Sequence, residues 1–385
     1  MARIRYATAG ESHGKMLVGI IENVPAGLEI DGDFVDGELA RRMLGLGRGA
    51  RMQIESDSAE FVTGVRAHKS LGSPITALVY NRDYKNWERT IGANATEKDR
   101  RVTAVRPGHA DLSGVIKYDF DDARNVLERA SARETAAKVA VGAVAKLYLK
   151  ALGITVQSHT AAIGIAVAPP VAPADYADIN ARADKDPVRC LDGESSKKMI
   201  DEIRYAALSG DTLGGVSEIV VCGCKSGIGS YVNAHGKLDG LIMREVGAVQ
   251  SVKAVEIGCG VANAALYGSA VHDAIYNAEN GGYMRKTNRA GGIEGGMSNG
   301  EPIVVRAYFK PIPTLKNGLD TVDIATGKPT VAASERSDVC AVPAAGVVCE
   351  AAVALALVRA LSDMLGGDTM DETIARYAAK RSVRQ

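Results

Sequence analysis

Residues 339–357 read VCAVPAAGVVCEAAVALAL and form the longest apolar stretch in the 385-residue sequence. The length is about the minimum for a membrane span, but the stretch contains Pro343 and Glu350, and most of its residues are Ala or Val. These features favour a buried helix, which we expect over about residues 344–365, ending at a Gly-Gly pair. Because small side chains let a helix approach its neighbours closely, the stretch predicts a densely packed interior. No contact with a membrane is predicted.

A second helix rich in small residues is predicted from Ser131 to about Leu152, ending at Gly153. Ser131 and Glu134 fit the S-x-x-E capping box, which would define the start of the helix. Both helices follow a short polar segment that contains Arg and Ser, residues 129–133 and 336–338. This likeness is consistent with an internal duplication, and equally with two unrelated alanine-rich helices.

Several short segments are rich in β-branched residues and bounded by Gly, Asn or Pro, which predicts strands. They are residues 17–21, 75–80, 218–222, 252–257 and 302–309. Helices do not follow them at βαβ spacing, so antiparallel sheets are favoured over a doubly wound fold. The proline-rich residues 168–174 indicate a surface loop and not a domain boundary. We expect residues 1–385 to form a single domain of the α+β class.

The composition narrows the possible function classes. The 46 basic and 46 acidic residues balance, which disfavours a general nucleic-acid binder. The first seven residues lack the apolar region of a secretory signal, and six dispersed cysteines are typical of reduced thiols, so we expect a cytoplasmic protein. Cys222 and Cys224 form a C-x-C pair without a partner pair, which is a poor zinc signal.

Two of the six histidines lie in glycine-containing segments, AGESHG at residues 9–14 and RPGHAD at residues 106–111. Imidazole titrates near pH 6.5, so His13 and His109 can exchange protons at neutral pH. Arg106 adds a permanent cation beside a Pro-Gly turn, and together with Gly108 and His109 it indicates an anion site with a proton donor. The alternative for each histidine is a structural role.

Residues 41–51, RRMLGLGRGAR, place four arginines along a glycine-broken stretch. No strand–turn–helix context supports a dinucleotide fingerprint here, so the arginines suit carboxylates or phosphates, or form a solvated basic loop. The predicted helix start at Ser131, with Arg129 and Arg133 beside it, offers backbone amides and a positive dipole end to an anion.

Three segments near the carboxyl terminus complete the candidate chemistry. GGIEGGMSNG at residues 291–300 could wrap a flat ligand or form a tight connection. It also matches the G-x-S-x-G motif of hydrolases, but that motif needs a helix after it and here a predicted strand follows, which argues against a hydrolase. KPIPT at residues 310–314 holds a Lys and a Thr on a rigid backbone. RSD at residues 336–338 joins a cation, a hydroxyl and a carboxylate, and an Asp beside an Arg would stay ionised, as a base or proton relay requires.

Taken together, six segments in this order resemble the chorismate synthase family. They are residues 10–14, 106–111, 129–136, 291–297, 310–314 and 336–338, so the resemblance covers essentially the whole chain. It implies an anti-1,4-elimination of phosphate from 5-enolpyruvylshikimate-3-phosphate to give chorismate, the last step of the shikimate pathway, with reduced FMN and no net redox change. It also implies helices sandwiched between two antiparallel sheets, a homotetramer, and an external flavin reductant, with NADPH only an indirect source of electrons.

The resemblance further assigns roles to individual positions. His13 and His109 would be the two acids, His13 for the departing phosphate and His109 for the reduced flavin, and Asp338 would help to remove the ring proton by way of flavin N5. Residues at flavin-contacting positions are Ala130, Ser131, Ala132, Gln250, Ser251, Gly295, Lys310, Pro311, Ile312, Pro313, Thr314 and Arg336. Residues at substrate-contacting positions are Ser12, Arg42, Arg48, Arg106 and Arg133.

Two rival hypotheses explain part of this pattern. A nucleotide-phosphate transferase could use the arginines on a triphosphate, but the sequence has no Walker A motif and no evident acidic Mg²⁺ site. A non-catalytic phosphometabolite-binding protein explains the arginines and glycines, but it gives no reason for the two histidines and Asp338.

Overall fold

The computed structural model describes residues 3–49, 55–95, 100–279, 281–333 and 338–380. The strands are β1 Arg5–Ala9, β2 Met16–Glu22, β3 Glu60–Thr63, β4 Val65–Arg66, β5 Lys69–Ser70, β6 Ile75–Tyr80, β7 Thr155–Ile163, β8 Ala166–Val167, β9 Gly215–Cys222, β10 Val252–Ile257, β11 Ile275–Asn277, β12 Tyr283–Arg285, β13 Ile293–Glu294, β14 Met297–Ser298, β15 Ile303–Phe309, β16 Asp320–Val322 and β17 Pro329–Val331. The helices are α1 Gly32–Met43, α2 Glu88–Ile91, α3 Asp111–Tyr118, α4 Arg124–Ala130, α5 Thr135–Ala151, α6 Ile179–Ala183, α7 Gly193–Ser209, α8 Leu238–Gly247, α9 Gly260–Asn263, α10 Gly268–Val271, α11 Val342–Leu365 and α12 Met370–Ala378.

Two antiparallel sheets form the outer layers. One has four strands in the order β1-β2-β6-β3, and the other has five in the order β10-β15-β9-β7-β8. Along β2, buried and half-buried residues alternate, and Leu17 and Ile21 are among the buried ones. This is the pattern of a strand with one face on a core. The predicted antiparallel sheets are therefore present.

The two small-residue helices lie between the sheets. α5 packs on β2 and β6, α11 packs on β7 and β9, and the helices pack on each other. At their crossing, a Cβ added to Gly142 would lie 2.3 Å from the Cβ of Ala351, so the close approach requires a glycine. The densely packed interior and the sandwiched helices predicted for the chain are both found.

The same order of elements occurs twice along the chain. The first part of the chain has the order β1, β2, α1, β3, β6 and α5. The corresponding elements of the second part are β7, β9, α8, β10, β15 and α11. The order across the sheets is repeated as well, because β1-β2-β6-β3 corresponds to β7-β9-β15-β10. This shared topology favours an internal duplication over the alternative of two unrelated alanine-rich helices.

The start of α5 differs from the predicted capping box. Ser131 caps a short 3-10 helix, Ala132–Glu134, by accepting from the backbone N–H of Arg133, and α5 begins only at Thr135. The Glu134 carboxylate does not close the box, because it accepts hydrogen bonds from Thr8 at 2.9 Å and Gln250 at 3.0 Å. The predicted end near residue 152 is correct, with α5 ending at Ala151.

α11 is the helix that, among the described residues, is long and apolar enough to cross a membrane, yet most of it is buried inside the protein. Its Glu350 is fully buried and pairs with Arg41 at 2.8 Å and Lys146 at 2.6 Å. Both observations favour the core helix expected from the sequence. That residues 1–385 form one domain stays a prediction, although one apolar core contains residues of both sheets and both central helices.

Candidate active site

A cavity of about 830 Å³ lies where the segments after β6 and β15 meet the amino-terminal ends of α5 and α11. Most of the residues singled out in the sequence line it. They are Ser12, His13, Arg42, Arg48, Arg106, His109, Ala130, Ser131, Ala132, Arg133, Gln250, Ser251, Lys310, Ile312, Pro313, Thr314 and Asp338. Segments that are more than 300 residues apart in the sequence thus contribute to one concave site.

Three candidate residues are not placed on this lining. Pro311 lies in the Lys310–Thr314 segment without facing the cavity. Gly295 lies in the turn between β13 and β14, where the neighbouring Gly296 accepts from the first residue of α8. Gln250, which lines the cavity, follows the opposite end of α8. Since ten helical residues span about 15 Å, the length of α8 separates Gly295 from Gln250. Arg336, like Arg51, lies outside the described residues.

His13 is held by a buried carboxylate from α4. Its Nδ1 lies 3.0 Å from both carboxylate oxygens of Glu128, and its backbone N–H donates to the same carboxylate at 2.9 Å. Burial raises the pKa of Glu128, but the hydrogen bonds from His13 and the charge of Arg124 outweigh it and hold the pKa below its ordinary value. An ionised carboxylate therefore supports the imidazole at its Nδ1 edge.

His109 has the same kind of partner. Its Nδ1 lies 2.5 Å from Asp111, a fully buried residue that also accepts from Arg106 Nε at 2.9 Å. Burial raises the pKa of Asp111, but the hydrogen bonds from His109 and Arg106 hold it well below its ordinary value. Arg106 also donates to Thr314 at 3.0 Å, which links this turn to the segment after β15.

Two buried arginines that line the cavity share one carboxylate. Arg133 donates to Asp57 at 2.6 Å, and Arg42 lies 3.5 Å from the same oxygen. Burial and the positive charge of Arg133 lower the pKa of Arg42 to about 9, which still leaves the Arg42 guanidinium protonated at neutral pH. Within the described part of the chain, Arg133 Nη2 is buried without a hydrogen-bond acceptor. An anion in the cavity would supply one and relieve the repulsion between the two cations.

Asp338 is bound by the glycine-broken arginine stretch. Arg48 Nη1 lies 3.0 Å from Asp338 Oδ2, and the backbone N–H of Gly49 donates to Oδ1 at 2.6 Å. The arginine that the sequence placed beside Asp338 is Arg336, which lies outside the described residues, so the arginine that the structure pairs with Asp338 is Arg48, distant in sequence.

Sequence reasoning missed several residues of the site. Glu128 and Trp87 contact His13, and Asp57 pairs two arginines, but none of the three was singled out. The signal for Asp111 was present, since an acid two residues after a histidine in a turn can reach its ring. Glu128 directly precedes the segment 129–136, and Trp87 is the one tryptophan in the sequence, but neither fact alone indicates a contact with His13.

The sequence model of the chorismate synthase family matches residues 4–362. The chain belongs to the chorismate synthase family. It is 50% identical over 373 residues to the chorismate synthase of Shouchella clausii, covering 95% of this chain and 96% of that one. It is also 50% identical over 384 residues to that of Acidobacterium capsulatum, covering 97% of each.

A solved structure supports the same conclusion about the fold. A crystal structure of chorismate synthase superimposes with a TM-score of 0.79 at 37% identity, covering 98% of this chain and 97% of that one. The predicted α+β fold of a chorismate synthase is therefore confirmed. So is the prediction that the chain is an enzyme, because proteins of this name are lyases of aromatic amino acid biosynthesis.

Proposed function

We propose that this chorismate synthase family member eliminates phosphate from 5-enolpyruvylshikimate-3-phosphate by an anti-1,4-elimination, giving chorismate and inorganic phosphate. The observation that carries the proposal is the presence, in one cavity, of two histidines that are each bonded to a buried carboxylate. The reaction removes a phosphate and a ring proton, so it needs a donor for the leaving group, which a histidine can be, and an acceptor for the proton, for which Asp338 lines the same cavity.

The charges of the cavity suit this substrate, which carries one phosphate and two carboxylates. Arg42 and Arg133 share Asp57, and Arg133 Nη2, which lies 3.8 Å from Glu55 and makes no hydrogen bond with the described residues, would donate to a ligand oxygen. Arg48 and Arg106 line the same space, each bonded to a carboxylate that fixes its orientation. Guanidinium groups that are already oriented lose little entropy when they bind an anion.

Reduced FMN is the cofactor that we propose, and Gln250 supplies the test of fit. Its Nε2 donates to Glu134 Oε1 at 3.0 Å, while its Oε1 is buried with no hydrogen-bond partner among the described residues. Such an oxygen suits an N–H donor of a flavin ring. Ser251 lies beside it with φ of 70°, a strained value for a serine, at the cavity wall. When bound, the reduced flavin would transiently supply the electron that helps to expel phosphate.

Further residues would hold the flavin along the same wall. Ala130, Ser131 and Ala132 lie at the junction of α4 and α5, and Lys310, Ile312, Pro313 and Thr314 follow β15. Lys310 Nζ donates to the carbonyl of Gly108, which connects this wall to the His109 turn. Pro311, Gly295 and Arg336 remain candidates from the family resemblance alone.

Each proton transfer of the proposed reaction is assigned to a different side chain of the cavity. His13, with Nδ1 on Glu128, would give the proton on Nε2 to the departing phosphate. His109, with Nδ1 on Asp111, would hold a second proton at its Nε2 for the reduced cofactor. Asp338, oriented by Arg48 and Gly49, would be the carboxylate on the side where the ring proton leaves.

The function is tested by measuring chorismate and phosphate released from 5-enolpyruvylshikimate-3-phosphate under anaerobic conditions, with and without photoreduced FMN. We expect both products in equal amounts, only when the flavin is reduced. With NADPH as the sole reductant in air, we expect no turnover, because we propose an external flavin reductant. Substrate binding without release would instead indicate a phosphometabolite-binding protein, and transfer from a nucleoside triphosphate would indicate the transferase.

We also propose a cytoplasmic homotetramer. Between β10 and β15 the chain carries several large apolar side chains on its surface, including Val261 at 74% exposure, Tyr267 at 86% and Ile275 at 61%. Several large apolar side chains exposed in one segment of the chain suit a contact with another protein surface, and they support an assembled form. Light scattering coupled to size-exclusion chromatography would test it, and a monomer at micromolar concentration would contradict it.

A further inference from the structure

Trp87 is stacked on the imidazole of His13. It is the one tryptophan of the sequence, and its ring centroid lies 3.8 Å from that of His13, with 19° between the planes. The guanidinium carbon of Arg100 lies 3.9 Å from the indole centroid. Two groups this close to the ring centre cannot share one face, so the indole separates the imidazole from Arg100.

Hydrogen bonds hold the segment that carries Trp87 in place beside His13. The indole Nε1 donates to Asp83 at 3.0 Å, which fixes the ring within its own turn. Six residues earlier, Asn81 donates to the carbonyl of Gly14 at 2.7 Å. Residues 81–87 therefore contact the His13 turn both at its backbone and at the ring of His13.

The second support of His13 comes from α4. Glu128 binds the Nδ1 edge of the ring, and Arg124 donates to Glu128 at 3.0 Å. The guanidinium carbon of Arg124 also lies 5.2 Å from the indole centroid of Trp87. A carboxylate at Nδ1 limits rotation of the ring about the Cβ–Cγ bond only as far as one hydrogen bond can bend. A flat ring against the imidazole face removes that remaining freedom.

We propose that Trp87 is the positioning residue of His13, fixing the plane of the imidazole so that Nδ1 stays on Glu128 while Nε2 meets the anion bound in the cavity. The part that concerns turnover rests on the proposed function, and the stacking itself does not. A proton donor must lie within hydrogen-bond reach of the leaving group, and a misplacement of about 1 Å can cost on the order of 10²-fold in rate.

The stacking can be tested without turnover, because the emission of Trp87 is the whole tryptophan signal of the chain. A protonated imidazole in contact with an indole quenches its fluorescence. Among the described residues, the charged groups in contact with the pair are Asp83, Arg100, Arg124 and Glu128. Carboxylates ordinarily titrate near pH 4 and guanidinium groups above pH 12, so between about pH 5 and 9 a histidine is the group expected to change charge.

We expect the emission of the unmodified chain to rise with pH through this window. The rise should be lost in His13→Gln and kept in His109→Gln, which changes the other histidine of the same cavity. A rise that persists in His13→Gln would overturn the stacking. This result decides the contact even if the chain releases no phosphate with reduced FMN, an outcome that would remove the proposed function and leave the contact standing.

The positioning role is tested by turnover. Trp87→Ala should lower kcat by roughly 10- to 100-fold, with a smaller change in KM, and Trp87→Phe, which keeps a flat ring, should restore most of the rate. In the double variant His13→Ala, Trp87→Ala, the loss from Trp87 should vanish because no imidazole remains to be positioned. Losses that multiply in the double variant would overturn the proposal.

Tyr118→Ala is the matched control for losing an aromatic ring. Tyr118 is stacked with Phe120 at 5.8 Å and has Lys117 5.2 Å from its ring, but it is 60% exposed on α3 and does not line the cavity. We expect its kcat to match that of the unmodified chain. An equal loss in Tyr118→Ala and Trp87→Ala would contradict a specific role of Trp87. If Trp87→Ala does not fold, Trp87→Phe and the fluorescence titration decide.

Discussion

Arg41 of α1 donates two hydrogen bonds to Glu350 of α11, from Nη2 at 2.8 Å and Nη1 at 3.0 Å. Lys146 of α5 reaches the same carboxylate at 2.6 Å. Burial raises the pKa of Glu350, but the charges of Arg41 and Lys146 hold it well below its ordinary value. Glu350, whose charge disfavoured a membrane span in the sequence, therefore connects α11 with α1 and α5. Arg41 directly precedes Arg42, so the same pairing fixes the end of α1 that borders the cavity.

Replacing Glu350 with Ala should destabilise the protein by roughly 3–5 kcal/mol, because the buried Arg189 loses this carboxylate and only Glu38 is left to pair with both Arg41 and Lys146. Urea unfolding at pH 7 would measure the loss. Asp363→Asn is the control, since it breaks an exposed ion pair with Arg3 that is expected to contribute at most about 1 kcal/mol. Equal stabilities of the two variants would contradict the central role of Glu350.

The fold was largely predictable because burial leaves a pattern in the sequence. The apolar run at residues 339–357 and the β-branched segments locate α11 and five strands of the two sheets, since each must bury a face. The capping box at Ser131 was wrong for a reason that no local pattern contains. Thr8 and Gln250, far away in sequence, take the Glu134 carboxylate that would have closed it.

The site was predictable where one segment carries both a reactive group and its anion partner, as around His109. It was not predictable where the partner is distant, because Glu128 lies 115 residues from His13. The same limit applies to Asp57, which joins Arg42 and Arg133 from another part of the chain. Such pairings depend on how the two sheets and α4 come together.

His13→Ala and His109→Ala should each lower turnover by roughly 10²–10⁴-fold, because each removes a proton donor and leaves its buried carboxylate in place. Chorismate formation with photoreduced FMN would measure it, with flavin binding followed in parallel. His235→Ala, on the surface near a different and smaller cavity, is the control and should keep normal turnover. Near-normal turnover of both variants with flavin still bound would rule out the acid roles.

Arg48→Ala should chiefly weaken substrate binding, because it removes a charged donor from the cavity wall. A hydrogen bond to a charged group contributes roughly 1.5–3 kcal/mol, which corresponds to about a 10- to 100-fold increase in Kd. Calorimetric titration with 5-enolpyruvylshikimate-3-phosphate would measure the change. Arg204→Ala, on the exposed face of α7, removes the same charge away from the cavity and should bind normally. Unchanged affinity in Arg48→Ala would argue against its contact with the substrate.

Asp111→Asn should destabilise the protein in a pH-dependent way. The pKa of Asp111 is lowered in the folded state, so its charge contributes stability that is fully present above the unfolded pKa, near 4, and is lost as the pH falls below it. The variant leaves Arg106 without its buried counter-charge, for which we expect a loss of roughly 3–5 kcal/mol at pH 7. Unfolding in guanidinium chloride between pH 3 and 7 would measure this. The difference in free energy of unfolding between the unmodified chain and Asp111→Asn should become smaller toward pH 3.

The control for this series is Asp121→Asn, because Asp121 pairs with Arg101 at 2.8 Å while 79% of its side chain is exposed. Solvent screens such a pair, so the substitution should change stability little at any pH. A difference between the unmodified chain and Asp111→Asn that stays constant from pH 3 to 7 would show that lost packing, and not lost charge, destabilises the variant. A difference that shrinks below about pH 4 would instead tie the stability of the His109 turn to the ionised carboxylate that orients its imidazole.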